Sequence, residues 1–315
     1  MIKVYTIADN YLVPLAPEQH DEGLENAAWI DMINPTPAEI ANVEKFCNLT
    51  LPNIQDTEEI EASSHYEVYP HGLSINCSFL HQESGYFSIT NVAFLFNNKC
   101  LISLCSREVS TLNQLQERAQ KMKDLVGDPM STIVSLIEDK IERLADLSEE
   151  AHVAIEKISR QIFNRDGVIL EETIDNLSRQ DDLNGKIRLC LMDGQRDLNF
   201  LLRRGHMVEE NTNTTNDTLE DIKTLLSHNT FLSERLDFLL NAALGFINIE
   251  QNKIIKIFSI VAVVFMPPTV IASIFGMNFQ HMPELEWAWG YPLSLLSMVI
   301  AGLAPYIYFK RKGWL

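Results

Sequence analysis

Two uncharged stretches near the C-terminus constrain this chain more than any other feature. Ile257 to Met277 and Tyr291 to Phe309 contain no Asp, Glu, Lys or Arg. Each is long enough to cross a ~30 Å hydrocarbon core as a helix. Lys253 and Lys256 precede the first stretch, and Lys310, Arg311 and Lys312 follow the second. The connecting loop, 278–290, carries Glu284 and Glu286 and no Lys or Arg. Basic flanks stay on the cytoplasmic side, so the pattern predicts a hairpin with both chain ends in the cytoplasm and a short acidic loop outside. Trp287, Trp289 and Tyr291 then fall where an interfacial aromatic belt belongs.

The first stretch carries a pattern of its own. Steps of three and four from Asn252 reach Ile255, Ser259, Ala262, Met266, Thr269 and Ser273, a stripe rich in small or hydroxylated side chains. Ile257, Ile260, Val261, Val264 and Ile271 form the opposite face, suited to lipid or a partner helix. Small residues line close helix–helix interfaces, and they also line water-filled paths. Both readings of the stripe stand at this point. Uncharged amides at its two ends, Asn252 and Asn278, favour the path. Pro267 and Pro268 interrupt the backbone donors in mid-span, which membrane helices tolerate where neighbours or water satisfy the carbonyls. Two spans cannot enclose a pore, so a channel requires several copies around an axis.

Ahead of the hairpin the chain reads as α+β. Up to about residue 127, GLSINCSFLH, SITNVAFLF and CLISLC are β-branched, apolar runs, the last two flanking a turn at Asn97-Asn98-Lys99. Thr36-Pro37-Ala38-Glu39 has the form of a capping box opening a short helix to about Cys47. A mostly antiparallel sheet with flanking helices is expected. From 128 to 252 the pattern is helical: Asp128 caps a helix over about 130–163, NRDG (164–167) breaks it, a second helix runs over about 169–204, and RRGHMVEENTNTTND reads as the turn before a third. In that third helix Leu225, Leu232, Leu239 and Phe246 recur every seven residues, with Ile222, Leu236 and Ala243 at the complementary positions, a coiled-coil-like seam. The membrane part occupies 253–315, with spans at about 257–277 and 291–309.

Charge and composition exclude several functions. A formal net charge of −18 repels phosphate, so no nucleic-acid partner is expected. The eight histidines are scattered, and no HExxH, nucleophile elbow or GxxxxGK[ST] loop occurs, which argues against an enzyme and against nucleotide-driven pumping. Five cysteines without metal-finger spacing suit a reducing compartment. MIKVYTIADNYLVPL lacks a charged segment followed by a long apolar one, so no cleaved signal is expected and the bulk of the chain is placed in the cytosol. The acidic run Asp56 to Glu61 and the cluster Asp217, Glu220 and Asp221 are candidate cation-binding surfaces.

Gly276-Met277-Asn278 at the end of the first span, followed by MPEL (Met282 to Leu285), resembles the signature of the CorA magnesium transporters. KIRLCLMDGQRDLNFLLR from Lys186, GFINIEQNKIIKIFS from Gly245 and the terminal YFKRKGWL are similar to the proteobacterial branch of that family. The resemblance implies a homopentameric funnel in a bacterial inner membrane, with Mg²⁺ as the transported and regulatory ion and Co²⁺ and Ni²⁺ as further cargo. It implies an outer filter of Gly276, Met277 and Asn278, a polar ring at Asn252, a hydrophobic gate at Ile255 and Phe258, and a basic collar from Lys253, Lys256 and Lys310 to Lys312. It implies also an acidic intersubunit sensor, for which Glu59 and Asp221 are the candidates. Phe275 and Gln280 depart from the family pattern, where Tyr and an acidic residue are common, so the loop keeps fewer carboxylates. A zinc or cobalt/nickel transporter of the same superfamily, or a membrane-anchored coiled-coil scaffold, are the alternative readings.

Overall fold

A computed structural model describes residues 1–16, 24–47, 50–52, 66–69, 72–83, 85–97, 99–123, 125–164, 170–205, 207–278, 282–283 and 287–313. They fall into two units, Met1–Leu240 and Asn241–Leu315.

In the first unit, the alternation of apolar residues near the N-terminus produces strands β1 (Ile2–Ala8) and β2 (Tyr11–Pro14). Asp9 and Asn10, with φ of 51° and 68°, make the tight turn between them, a conformation Asp and Asn tolerate. Strand β3 (Trp29–Ile33) leads to helix α1 (Pro37–Cys47). The capping box at its start is formed: Thr36 N–H donates to Glu39 Oε2 at 2.7 Å, and Glu39 N–H donates to Thr36 Oγ1 at 3.3 Å. Strands β4 (Tyr66–Tyr69), β5 (Gly72–Glu83), β6 (Tyr86–Phe96) and β7 (Leu101–Cys105) complete a seven-stranded sheet among the described residues, in the order β2-β1-β3-β7-β6-β5-β4. All pairings are antiparallel except β3 with β7, where Asp31 lies against Ser103. Those two strands are buried almost end to end, as parallel neighbours usually are.

The sheet is covered on both faces. Ile30, Met32, Ala93, Leu95, Ile102 and Leu104 point to one face and form a core with Val43 of α1 and Leu51. On the other face the alternate residues Trp29, Asp31 and Ser103 meet helix α2 (Ser110–Ala119) in a buried polar chain. Trp29 Nε1 donates to Ser103 Oγ (2.9 Å), Ser103 Oγ to Asp31 Oδ1 (2.6 Å), and Gln116 Nε2 to Asp31 Oδ2 (3.1 Å). Every polar group there has a hydrogen-bond partner, and burial still raises the Asp31 carboxyl above its ordinary range, with Ser103 and Gln116 opposing.

Helices α3 (Pro129–Asn164) and α4 (Leu170–Arg204) pack on each other, and α4 packs on β5. Asp128 caps α3 as expected, accepting from Ser131 N–H at 3.2 Å. The expected NRDG break falls largely at 165–169, outside the described residues. Helix α5 (Glu209–Phe275) begins earlier than the sequence pattern suggests, since ENTNTTND is helical rather than a turn. Thr and Asn are poor helix formers because their side chains compete for the backbone. Here Thr212, Thr214, Thr215 and Thr218 turn that tendency inward, donating to the carbonyls four residues back, while Asn211 donates to Ser131 of α3. Thr215 and Thr218 are also buried, so packing overrides propensity.

The heptad seam is present: Ile222, Leu232, Leu236, Leu239 and Ala243 are buried, and Leu225 and Phe246 are half-buried. It has a polar member that the apolar pattern passed over. Asn229 is 1% exposed and donates through Nδ2 to Asn184 Oδ1 (2.7 Å) and Asn184 O (2.8 Å), while Asn184 Nδ2 donates to Asn229 O (3.1 Å). Amide pairs of this kind fix helix register in coiled coils.

Candidate functional site

The second unit is built by the C-terminal part of α5 and by helix α6 (Gly290–Arg311). Both contain windows long and apolar enough to cross a membrane, with 0% and 6% of the window residues buried. The first span continues helically through Pro267 and Pro268 to Phe275.

Which face of that span meets the other is decided by a glycine. A Cβ on Gly302 would lie 3.2 Å from Pro268 Cγ and 3.5 Å from Val264 O, so the two helices approach at their backbones there. Ile260, Val264, Pro267, Pro268 and Ile271 are accordingly half-buried. Asn252, Ile255, Ser259, Ala262, Met266, Thr269 and Ser273 are exposed along their whole run, and so is Phe258 at 71%. The stripe is therefore not the contact surface between the two spans of one chain. Its C-terminal half lines a shallow groove with Phe265, Val270, Ile274 and Met277.

The hydroxyls on the stripe are already oriented. Thr269 Oγ1 donates to Phe265 O (2.7 Å) and Ser273 Oγ to Thr269 O (2.8 Å). With its proton used along the helix, each oxygen keeps lone pairs as acceptors toward the open side. A column of neutral acceptors suits water molecules around a cation.

At its C-terminal end the helix finishes in a turn. Gly276 N–H donates to Ala272 O (2.9 Å) and Met277 N–H to Ile274 O (3.3 Å). Gly276 is not among the residues with positive φ, so no left-handed backbone makes glycine necessary. Its use is steric: a Cβ would come within 3.2 Å of Ala272 O, tighter than most side chains allow. Met277 and Asn278 follow as exposed, non-helical residues. Glu284, Glu286 and Gln280 lie outside the described residues. Trp287, Trp289 and Tyr291 are exposed, as an interfacial belt requires. Flanking the two apolar stretches, Lys253, Lys256, Lys310, Arg311 and Lys312 are all at helix positions or the turn after, with Lys253 and Lys256 exposed.

Of the candidate sensor residues, Glu59 lies outside the described residues. Asp221 is exposed on α5 and has neighbours the sequence did not suggest. Burial, then Glu142 and Asp139, raise the Glu138 carboxyl above its ordinary range, with Arg118 opposing and Asp221 adding to the repulsion. Residues about 80 positions apart in sequence thus share one acidic surface, a proximity that no local pattern encodes.

An α+β unit with long helices, followed by a two-span hairpin whose polar stripe faces outward and ends in Gly-Met-Asn, defines a membrane protein of the divalent-cation transporter class. Residues 25–311 match the family of the CorA-like Mg²⁺ transporter protein, and the chain belongs to it. It is 40% identical over 317 residues to the magnesium transport protein CorA of Escherichia coli, with 100% of each chain covered, and 39% identical over the same span to that of Salmonella typhimurium. The fold matches the complete structure of the CorA magnesium transporter from Methanocaldococcus jannaschii with a TM-score of 0.76 at 17% identity, covering 100% of this chain and 99% of the other.

Proposed function

We propose that this chain is a magnesium channel, admitting Mg²⁺ passively along the membrane potential and closing when cytosolic Mg²⁺ is plentiful. The observation that carries the reading is the full-length likeness to curated magnesium transport proteins. The open stripe on the first span supports where the path runs.

In this reading, five copies surround an axis in a bacterial inner membrane, with both termini in the cytoplasm. Residues 1–127 form the cytosolic α/β domain, 128–252 the helical stalk, and 253–315 the membrane domain. Each copy contributes Gly276, Met277 and Asn278 to an outer filter. Mg²⁺ sheds its waters reluctantly, so neutral amides that hydrogen-bond to the hydration shell suit it better than a carboxylate cage. Ser259, Ala262, Met266, Thr269 and Ser273 line the descent, Ile255 and Phe258 form the dewetting constriction, and Asn252 completes it. Glu284 and Glu286 gather cations at the mouth, and Lys253, Lys256, Lys310, Arg311 and Lys312 sit at the inner headgroups. Co²⁺ and Ni²⁺, also divalent and hydrated, are further cargo.

A divalent ion entering an inside-negative cell gains ~4.6 kcal/mol per 100 mV, twice the value for one charge. Purified protein in liposomes with equal Mg²⁺ inside and outside is expected to take up Mg²⁺ under an imposed inside-negative potential, and net uptake is expected to stop when the potential is collapsed. Persistent uptake without a potential overturns the passive mechanism. Zn²⁺ flux in place of Mg²⁺ overturns the ion assignment, and no flux of any divalent ion leaves the scaffold reading.

For closure, cytosolic Mg²⁺ bound by Asp221 and Glu59 across subunit boundaries offsets carboxylate repulsion and holds the pore shut. Asp221→Asn is expected to require several-fold more internal Mg²⁺ for half-closure. An unchanged closure curve removes Asp221 from the sensor.

A further inference from the structure

Three prolines lie inside the two spans, Pro267 and Pro268 in α5 and Pro305 in α6. A proline has no N–H to give, so Val263 O, Val264 O and Ala301 O each lose the donor four residues on in their own helix. Just beyond the first pair, Thr269 and Ser273 bond back to the carbonyls of Phe265 and Thr269, a pattern that loosens and bends helices. Gly302 joins the two weak points. A Cβ there would meet Pro268 Cγ at 3.2 Å and, at 3.5 Å, Val264 O, one of the carbonyls that has lost its donor. Ala301, Gly302 and Pro305 are half-buried on α6, as Val264, Pro267 and Pro268 are on α5, whereas Leu303 is 49% exposed. The interrupted turns of the two helices therefore face each other, with no side chain of α6 between them at Gly302.

We propose that Gly302 is a positioning residue for gating: it seats α6 on Pro268 of α5 so that the two spans bend together, as one hinge, at this level. The inference rests on the gated-channel reading above. Sharp bends in helices occur where proline or a back-bonded side chain has thinned the hydrogen-bond ladder, and both spans are thinned here. If α5 bent alone, it would open a gap along α6 or drive Pro268 into it, and close packing resists both. With backbone contact at Gly302 and Pro305 one turn on, α6 can follow. The part of the stripe before the prolines, from Asn252 to Met266, then swings relative to Thr269, Ser273 and the Gly-Met-Asn end. The path changes width while the filter keeps its form.

The test measures Mg²⁺ uptake by the full-length protein in proteoliposomes at low and at high internal Mg²⁺, and takes the ratio of the two rates as the switching ratio. Gly302→Ala is expected to lower that ratio several-fold and to leave the external Mg²⁺ concentration for half-maximal uptake unchanged. Alanine is the better helix former, so a weaker α6 is not the cause. Pro268→Ala returns an N–H to Val264 O, stiffens α5 and is expected to lower the ratio as well; it decides the matter if Gly302→Ala fails to insert. Combining the two is expected to lower the ratio no further than Pro268→Ala alone, because removing Pro268 Cγ also removes the atom that a side chain at position 302 meets. Leu303→Ala is expected to keep the ratio. Poor folding or insertion lowers both rates alike, so the ratio separates positioning from a merely structural role. Closure by internal Mg²⁺ in the unsubstituted protein with unchanged ratios in Gly302→Ala and Pro268→Ala overturns the hinge alone, and so do effects that multiply in the double variant. Absence of closure in the unsubstituted protein overturns the gated-channel reading and the hinge with it.

Discussion

Asn278→Ala is expected to lower Mg²⁺ uptake in proteoliposomes by at least ~10-fold while leaving thermal unfolding unchanged. Asn278 follows the last helical turn and is exposed, so truncation removes no packing. What it removes, in the proposed filter, is the amide that meets the hydrated cation. A hydrogen bond to a charged species is worth ~1.5–3 kcal/mol, and ~1.4 kcal/mol is tenfold. In an assembly of several copies every subunit loses its amide at once. Uptake at the unsubstituted rate, with the protein folded and correctly inserted, would remove Asn278 from the filter.

The second large effect is on stability. Lys140 of α3 is 2% exposed and lies 3.3 Å from Asp193 Oδ2 and 3.8 Å from Asp197 Oδ2, both on α4. Its ammonium also sits 5.4 Å from the Phe79 ring centroid of β5. Gly194, between the two aspartates, leaves room for Ile141 and Ile222, since a Cβ there would meet the Ile141 side chain at 3.2 Å. Strand β4 pairs with β5 only as far as Ile75, so beyond it Ser78 N–H turns to Asp193 Oδ2 (2.7 Å). Tyr66 donates to Asp197 Oδ1 at 3.1 Å. Sheet and helices are thus joined through one buried cation. Lys140→Met strands two carboxyls without it, which costs ~3–5 kcal/mol. The expected result is a fall of about 10 °C in the unfolding temperature of the full-length protein in detergent. A shift of under ~2 °C would show that the cluster contributes little.

The same cluster sets a pH dependence. Burial first, then Asp193, raise Asp197 to about 7, with Lys140, Cys77 and Tyr66 opposing. In the unfolded chain Asp titrates near 4, so between roughly pH 4 and 7 the native state holds the extra proton. Stability therefore falls as pH rises through that window. Asp197→Asn mimics the protonated carboxyl and is expected to flatten the slope and to raise the unfolding temperature at pH 8. An unaltered pH profile would place the proton elsewhere.

The hairpin was legible because hydrocarbon imposes a length and excludes charge, which a single sequence records directly. So were the helices at 130–163 and 169–204, the capping box at Thr36 and the heptad seam, each a local periodicity. Strands β1 to β4 were not named in advance. Trp29–Ile33 is apolar on both faces and only five residues long, so alternation is missing, and its neighbour β7 lies about 70 residues away. The start of α5 was misread because threonine propensity points away from helix, while the burial of Thr215 and Thr218 and the bond from Asn211 to Ser131 of α3 do not register locally. Spacing alone left two readings of the stripe, and Gly302 against Val264 and Pro268 shows that the stripe is not the contact between the two spans of one chain. The repulsion of Glu138 by Asp221 and the place of Lys140 between two aspartates act across helices, invisible until the chain is folded.

Asn184 and Asn229 carry one more implication. Seven residues either side of Asn184 stand Leu177 and Leu191, and seven either side of Asn229 stand Ile222 and Leu236, all buried. Sliding α4 past α5 by one heptad would press each amide against a hydrocarbon side chain, at a cost of ~1–3 kcal/mol for every donor or acceptor left stranded. The pair works as a detent. Sliding of α4 along α5 is opposed in this way, whereas tilting or bending of the two as a matched pair keeps both amides bonded.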